Sequence, residues 1–295
     1  MTNAQEITSA LGGKWHQTYG TAPCPCCQLE MLKQQNALTL STGSGGQLLA
    51  HCKRAGCAFT DILSAAGFHV GYNSNPCSAE IAKRDEYRRM QIQRKAELAK
   101  RLWKQAKPIS GTLAETYLRE ARGITCPLPE ALRFHPDVWH GPTAQCWPAM
   151  VAAVQGVPFP AVHRTFLLRD GSGKAGLEGG DKLMLGGTQG GAVRLRKGSF
   201  RLVVVEGIET GLSLSCGLLD GPVTIWSALS TSGIRGLHLP KQPALLTIAP
   251  DGDEPGRAAA NALAERAHAL GWKVSILDPG NGCDFNDVLL EGAES

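Results

Sequence analysis

The chain has 295 residues, of which 43% are hydrophobic and 19% charged, enough for two domains or for one domain with a small module. No apolar run approaches the roughly 18 residues of a membrane span, and the opening "MTNAQEITSALGGKW" lacks the cationic and apolar regions of a secretion signal. A membrane or secreted protein is therefore not expected, and a cytoplasmic location is. The formal charge of +4 is unevenly spread, with +6 on residues 79–107 and −2 on the remainder. Ten cysteines in a reducing compartment point to metal ligands or buried thiols rather than to a disulfide framework.

Residues 1–75 are cysteine-rich, with short apolar pieces ("LTL", "QLLAHC") that suit a small β-ribbon. Cys24 and Cys27 form one knuckle, Cys52 and Cys57 a second, with 24 residues between them, enough for one tetrahedral Zn²⁺. Cys26 or His51 could replace a neighbour in that set. Cys77, Cys126, Cys146, Cys216 and Cys283 have no partner at metal-binding spacing and are expected to be structural. "GYNSNPCS", residues 71–78, reads as a linker. Residues 79–107 lack Gly and Pro and are rich in helix formers, so one basic helix is expected, either a solvated spacer or a DNA-binding surface. "TLAETYLREARG" then predicts a short helix with a capping box from Thr112 to Glu115, ending at Gly123.

Between 125 and 200 irregular loops and short strands are expected ("AMVAAVQG", "AVHRTFLLRDGSG", "KLMLGG", "GAVRL"). "GSGKA" is no phosphate loop, because no glycine stands four residues before Gly173 and no Ser or Thr follows Lys174. From 201 the pattern alternates between strand ("RLVVV", "VTIWSAL", "ALLTIA", "KVSIL") and helix ("IETGLSLSCGLL", "PGRAAANALAERAHALG"), as a parallel sheet covered on both faces requires. Ligands of such sheets bind at the carboxyl ends of the strands. Glu206 follows the first strand, and Asp251 and Asp253 follow the third; Asp284 and Asp287 come after the last. Hard oxygen ligands without histidine or thiol favour Mg²⁺ or Mn²⁺. The plainer reading of Asp251-Gly-Asp253 is a turn with a helix N-cap. Glu209 could be a further ligand, but the solvated face of its helix is the plainer reading.

"LVVVEGIETGLSL", "VTIWSAL", "IAPDGDEPGRAAANAL" and "DFNDVL" together resemble the Toprim domain of primases, topoisomerases and related nucleases. That resemblance implies that Glu206, Asp251 and Asp253 hold divalent metals, with Asp284 as an additional acid. Primases commonly carry a further acid where this chain has Asn286, and Asp287 is the neighbour that could substitute. "LGGKWHQTYGTAPCPCC…NALTL…LLAHCKRAGC" resembles the zinc-binding domain of phage and plasmid primases, with Cys27 where that family often has His. Residues 161–198 resemble the basic subdomain of replicative primases. Its cationic residues His163, Arg164, Lys174, Lys182, Arg194 and Arg196 could contact template and triphosphate phosphates, with a solvated basic loop as the plainer alternative; Arg164 and Lys182 match the family's pattern. The four tyrosines lie outside the expected parallel sheet, against a nicking topoisomerase.

The expected fold is thus α/β in four parts: an N-terminal zinc ribbon (1–75), a basic linker helix (76–110), an α+β basic subdomain (111–200) and a C-terminal Toprim domain with a Rossmann-like parallel sheet (201–295). The implied activity is that of a primase of the phage, plasmid or mobile-element type. It would synthesise primers from nucleoside triphosphates on single-stranded DNA, with structural Zn²⁺, catalytic Mg²⁺ or Mn²⁺, and a helicase acting in trans. The alternatives are a metal-dependent nuclease using the same acids and a non-catalytic single-strand binding or loading protein.

Overall fold

The computed structural model describes residues 3–28, 36–43, 47–68, 78–199 and 201–293. Residues 71–77 of the expected linker, Cys77 included, lie outside the described residues. The chain divides into two units, residues 1–90 and 91–295.

In the first unit helix α1 (Ala4–Ala10) opens with a reciprocal cap between Asn3 and Glu6. Strands β1 (Lys14–His16), β2 (Tyr19–Ala22), β3 (Leu38–Thr42) and β4 (Leu48–Cys52) pair in that order as an antiparallel sheet. Alternation decides its faces. Leu38, Leu40 and Cys52 turn inward, where they meet Ala4 and Ile7 of α1 and Ile62 and Leu63 of α2 (Phe59–Ala65). Among the described residues the small β-ribbon expected in the cysteine-rich section is present, with two short helices covering its inner face.

Helix α3 (Ser78–Gln105) is the long basic helix. Near its end Ala99, Leu102 and Trp103 pack on an antiparallel sheet, so this part of the helix is an integral layer of the second unit. That sheet runs β5 (Lys107–Pro108), β6 (Leu132–His140), β7 (Gln145–Val154), β8 (Ala161–Phe166) and β9 (Lys182–Leu185), each strand pairing with the next. It is more regular than the expected loops and short strands. Pro136 interrupts the strand pattern over 132–140, so the sequence does not announce this strand; the ladder accommodates it with a register shift between His135 and Val138.

Before β6, helix α4 (Leu113–Thr116) passes into a wider π turn over Tyr117–Ala121, and Gly123 at φ +64° ends it. The expected capping box is not formed. The Thr112 hydroxyl donates to the Ile109 carbonyl instead, and Glu115 accepts from the Gly111 amide at 2.7 Å. The donor to Glu115 is displaced by one residue, from Thr112 to Gly111, and the Thr112 hydroxyl is spent as a donor, so the reciprocal pair is lost.

The C-terminal sheet has the order β10 (Val193–Arg196), β12 (Thr224–Ser227), β11 (Arg201–Val205), β13 (Leu245–Ala249), β14 (Lys273–Ile276). All pairs are parallel except β10 with β12, so the strand "VRLR" from before residue 201 forms an antiparallel edge of this sheet. Helices α5 (Ile208–Ser213), α6 (Thr231–Gly236), α7 (Glu254–Ala269) and α8 (Phe285–Ala293) complete it. On β11, Val203 and Val205 enter a core shared with Tyr117, Leu118, Leu132 and Met150, while Leu202 and Val204 enter a second core with Ala259, Ala260 and Leu263 of α7. Burial on both faces explains the unbroken run "LVVV". Among the described residues no helix is long and apolar enough to cross a membrane.

Candidate functional site

Cys24 and Cys27 stand in the turn after β2, Cys52 closes β4, and Cys57 precedes α2. Their sulfurs all lie within 4.8 Å of one another, with Cys27 and Cys52 3.5 Å apart. Tetrahedral zinc with Zn–S of about 2.3 Å places its sulfurs roughly 3.8 Å apart, so the tetrad fits the ion. The Gln28 side-chain carbonyl braces the knuckle by accepting from the amides of Cys24 (2.8 Å) and Ala37 (3.0 Å). Burial opposes ionisation of Cys52, but amides of Ala55, Cys57 and Arg54 donate to it and bring it down to about 6. Desolvation, then Cys52, pushes Cys27 up to about 12. Four thiols this crowded ionise together only with a cation among them. Cys26 borders the tetrad without joining it, and His51, exposed on β4 next to inward-facing Cys52, faces the other way.

In the second unit the acids gather at the carboxyl edge of the parallel sheet. Val205 of β11 is level with Ala249 of β13, so Glu206 and Asp251 emerge side by side. A Cβ on Gly252 would collide with the Gly280 carbonyl, and the Gly252 amide donates to the Cys283 carbonyl at 2.8 Å, which brings Asp284 to the same rim. Desolvation, then Asp251 and Asp253, raise the Glu206 carboxyl to about 7. Desolvation and then Asp284 raise Asp251 to about 6, with Lys182 opposing. Asp251 Oδ1 is buried without a hydrogen-bond partner, the condition of a carboxylate suited to a hard cation. Asp253 Oδ1 caps α7 by accepting from the Gly256 amide at 2.7 Å, so the turn reading of this motif describes one of its four carboxylate oxygens. Among the described residues the cysteine tetrad is the one set of three or more such groups already converged on a point; the acids are spaced along the rim.

Asp284 and Asp287 cap α8 reciprocally: Asp284 accepts from the amides of Asn286 and Asp287, and Asp287 accepts from the Asp284 amide at 2.8 Å. Asn286 is 1% exposed. Its Nδ2 donates to the Arg122 carbonyl (2.7 Å) and Ser213 Oγ (3.0 Å), and its Oδ1 accepts from Arg122 Nη1 (3.2 Å). An amide side chain supplies both the two donor bonds and the acceptor used here.

Glu209 is not on a solvated face. It is 5% exposed, with Oε1 accepting from Tyr117 Oη (2.9 Å), Oε2 2.9 Å from Lys182 Nζ, and Lys174 Nζ at 4.0 Å. Every residue of α5 is buried, because this helix lies beneath the π turn and the antiparallel sheet. Although burial opposes its ionisation, Lys182 and Lys174 hold Glu209 well below the usual carboxylate range. Burial and the Glu209 charge hold Tyr117 above its ordinary range, so it stays a donor, and Arg122 Nε donates in turn to Tyr117 Oη at 3.0 Å.

The remaining basic residues are placed variously. His163 is 3% exposed, and burial, then Lys182, lower it to about 4, so it is neutral at physiological pH. Arg164 donates to the carbonyls of Trp139 and Met184, both at 3.2 Å. On the edge strand β10, Arg194 lies over the Trp226 ring at 5.0 Å and Arg196 donates to the Gly221 carbonyl. The lysines are the cations brought to Glu209 and the rim. Tyr117, Arg122, Ser213 and Asn286 were not singled out as a cluster in the sequence, and nothing local marks them.

The second unit thus carries acids along the carboxyl edge of a parallel sheet, and the first a cysteine tetrad at metal-binding distance. Residues 201–294 match the Toprim domain family and form a Toprim domain; residues 93–195 match a domain of unknown function (DUF7146). No curated protein matches the chain. Among solved structures it is similar to a DNA primase domain from Pseudomonas aeruginosa (17% identity, 67% of this chain and 74% of that one, TM-score 0.42). It is also similar to the zinc-binding and RNA polymerase domains of Aquifex aeolicus primase (13%, 99% and 80%, 0.43) and to the primase fragment of the bacteriophage T7 primase-helicase protein (12%, 93% and 95%, 0.36).

Proposed function

We propose that this protein is a DNA-dependent primase that builds short primers on single-stranded DNA from nucleoside triphosphates. The observation that carries the reading is the rim itself. Glu206 and Asp251 leave adjacent parallel strands with carboxyls raised to about 7 and about 6, and Asp251 Oδ1 is buried and unpartnered. Such acids are strained as a bare anionic set and matched to divalent cations, with Glu206, Asp251, Asp253 and Asp284 as the holders of Mg²⁺ or Mn²⁺. When bound, those ions supply charge neutralisation at the transferring phosphates and acidify the attacking hydroxyl.

The chain's own groups then have distinct tasks. Glu206 can accept the proton of a primer 3′-hydroxyl or serve as a ligand. Lys182 and Lys174, about a third exposed and anchored on Glu209, offer ammonium groups to the triphosphate. Cys24, Cys27, Cys52 and Cys57 hold structural zinc in a module that helps choose the template start. The proposed division keeps the zinc ribbon at 1–75, the basic helix at 76–110, the basic subdomain at 111–200 and the Toprim domain from 201. A helicase in trans and a cytoplasmic setting complete the proposal.

The test is oligonucleotide synthesis on single-stranded DNA with Mg²⁺ and all nucleotides. The wild type should synthesise primers, and the double variant Asp251→Ala, Asp253→Ala should make none. Synthesis surviving in that variant would refute the assignment of the acids; strand cleavage by the wild type without nucleotides would instead identify a nuclease.

A further inference from the structure

Outside the zinc tetrad two further cysteines, 90 residues apart in sequence, come together in the second unit. Cys216 lies where the helix begun by α5 ends in a π turn: its own φ and ψ are −86° and 20°, and Gly217 follows at φ +110°. That break turns the Cys216 sulfur toward the loop after Gly123. There it accepts from two successive backbone amides, Thr125 at 3.3 Å and Cys126 at 3.4 Å. Cys126 Sγ points back, donating to the Leu212 carbonyl at 3.6 Å, one helical turn before Cys216. Arg119 pins the loop by donating to the Ile124 and Cys126 carbonyls, both at 2.7 Å. Both cysteines are half-buried, and exposed Thr125 and Gly217 beside them leave a small oxidant a way in.

We propose that Cys126 and Cys216 are a peroxide-reactive thiol pair that closes to a disulfide, with Cys216 as the attacking sulfur and Cys126 as the resolving one. The asymmetry is built in. Burial opposes ionisation of Cys216, but the paired amides prevail and lower its pKa. Burial, then Cys216 beside it, pushes Cys126 up to about 12, so it waits as a thiol.

The chemistry balances in two steps. The Cys216 thiolate attacks one oxygen of hydrogen peroxide, the O–O bond breaks, and the products are Cys216 sulfenic acid and hydroxide, which takes up a proton to become water. Sulfur is oxidised and peroxide reduced. Cys216 is now neutral, the charge that held up Cys126 is gone, and Cys126 attacks the sulfenic sulfur. The S–S bond forms, the S–O bond breaks, and a second water carries away the Cys126 proton. The product ties the loop after the π turn to the end of the α5 helix. The proposal stands apart from the primase reading.

The test uses the full zinc-loaded chain, exposed to hydrogen peroxide, blocked with an alkylating agent and digested without reduction. The expected product is a Cys126–Cys216 cross-linked peptide, lighter by two hydrogens and removed by thiol reductant, with a loss of two titratable thiols. In Cys126→Ser the expected product is a dimedone adduct on Cys216; in Cys216→Ser no oxidation of Cys126 is expected. Direct conversion of Cys216 to sulfinic acid in the wild type without a cross-link would overturn the proposal. So would oxidation of the zinc cysteines while this pair stays reduced.

Discussion

Lys182 of β9 and Glu209 of α5 meet at 2.9 Å across the boundary between the antiparallel layer and the parallel sheet, on a carboxylate whose side chain is 6% exposed. Breaking a buried pair by deleting one partner leaves the other uncompensated, at about 3–5 kcal/mol. Glu209→Gln should therefore destabilise the protein by about 3 kcal/mol in urea unfolding, and Glu209→Gln with Lys182→Met by less than the sum of the single changes. The sign with pH follows from the depressed carboxyl. Its stabilisation is full above the unfolded-chain value of about 4.3 and is lost as pH falls through the folded one. The variant should lack that acid-side decline; an unchanged acid limb would show that the pair carries no such linkage.

Asp251 works the opposite way. Its carboxyl is raised to about 6 and that of Glu206 to about 7. Stability from such groups is present below the unfolded-chain values, near 4, and is lost as pH rises through the folded ones. The metal-free protein should thus melt lower at pH 8 than at pH 5.5. Asp251→Asn should raise the pH 8 value, by about 1 kcal/mol after allowing for partial exposure. Mg²⁺ at a hundredfold excess over its dissociation constant should stabilise the wild type by about 2.7 kcal/mol, and the variant should lose most of that gain. Equal Mg²⁺ stabilisation of both proteins would remove Asp251 from the ligand set.

The contrast between these two acids shows what can be read from a chain. Asp251 was visible because a strand run, a Gly and a Pro mark its place locally, and the rule that parallel sheets bind ligands at their carboxyl ends supplies the rest. The burial of Glu209 is not legible in the sequence because α5 is buried all round, and a helix without a polar face gives periodicity nothing to report. Its partner Tyr117 is 92 residues away and Arg122 is 164 residues from Asn286, separations that only the assembled core brings together. The strand containing Pro136 failed for a local reason, a bulge that local pattern does not show.

The cysteine tetrad yields a sharper discrimination. Cys27→Ser and Cys57→Ser should each abolish stoichiometric zinc, measured by elemental analysis after desalting, while Cys26→Ser and His51→Ala should retain it. Chelation should free the Cys52 thiolate, whose amide donors hold it near 6, so reaction with a disulfide reagent should begin at that residue at neutral pH. Zinc retained in Cys27→Ser but lost in Cys26→Ser would exchange the two ligands.

Asn286 stands where the primase resemblance would place an acid, and the structure gives a reason for the amide. Its Nδ2 donates to Ser213 Oγ and to the Arg122 carbonyl, which has no proton to offer in return. A carboxylate at that point would set an unpaired acceptor against the carbonyl oxygen, in a position 1% exposed and next to Asp284. The attraction to Arg122 Nη1 at 3.2 Å would offset only part of this. Asn286→Asp should therefore cost about 2 kcal/mol at pH 7, the penalty of one buried unsatisfied group, and should recover part of that loss as the new acid is protonated. Asn286→Ala should cost a similar amount at every pH, because it removes both the donor and the acceptor. Urea unfolding of the two variants at pH 5 and pH 7 separates these outcomes; an aspartate variant as stable as the wild type would mean that the joint between α8, α5 and the π turn does not depend on the amide.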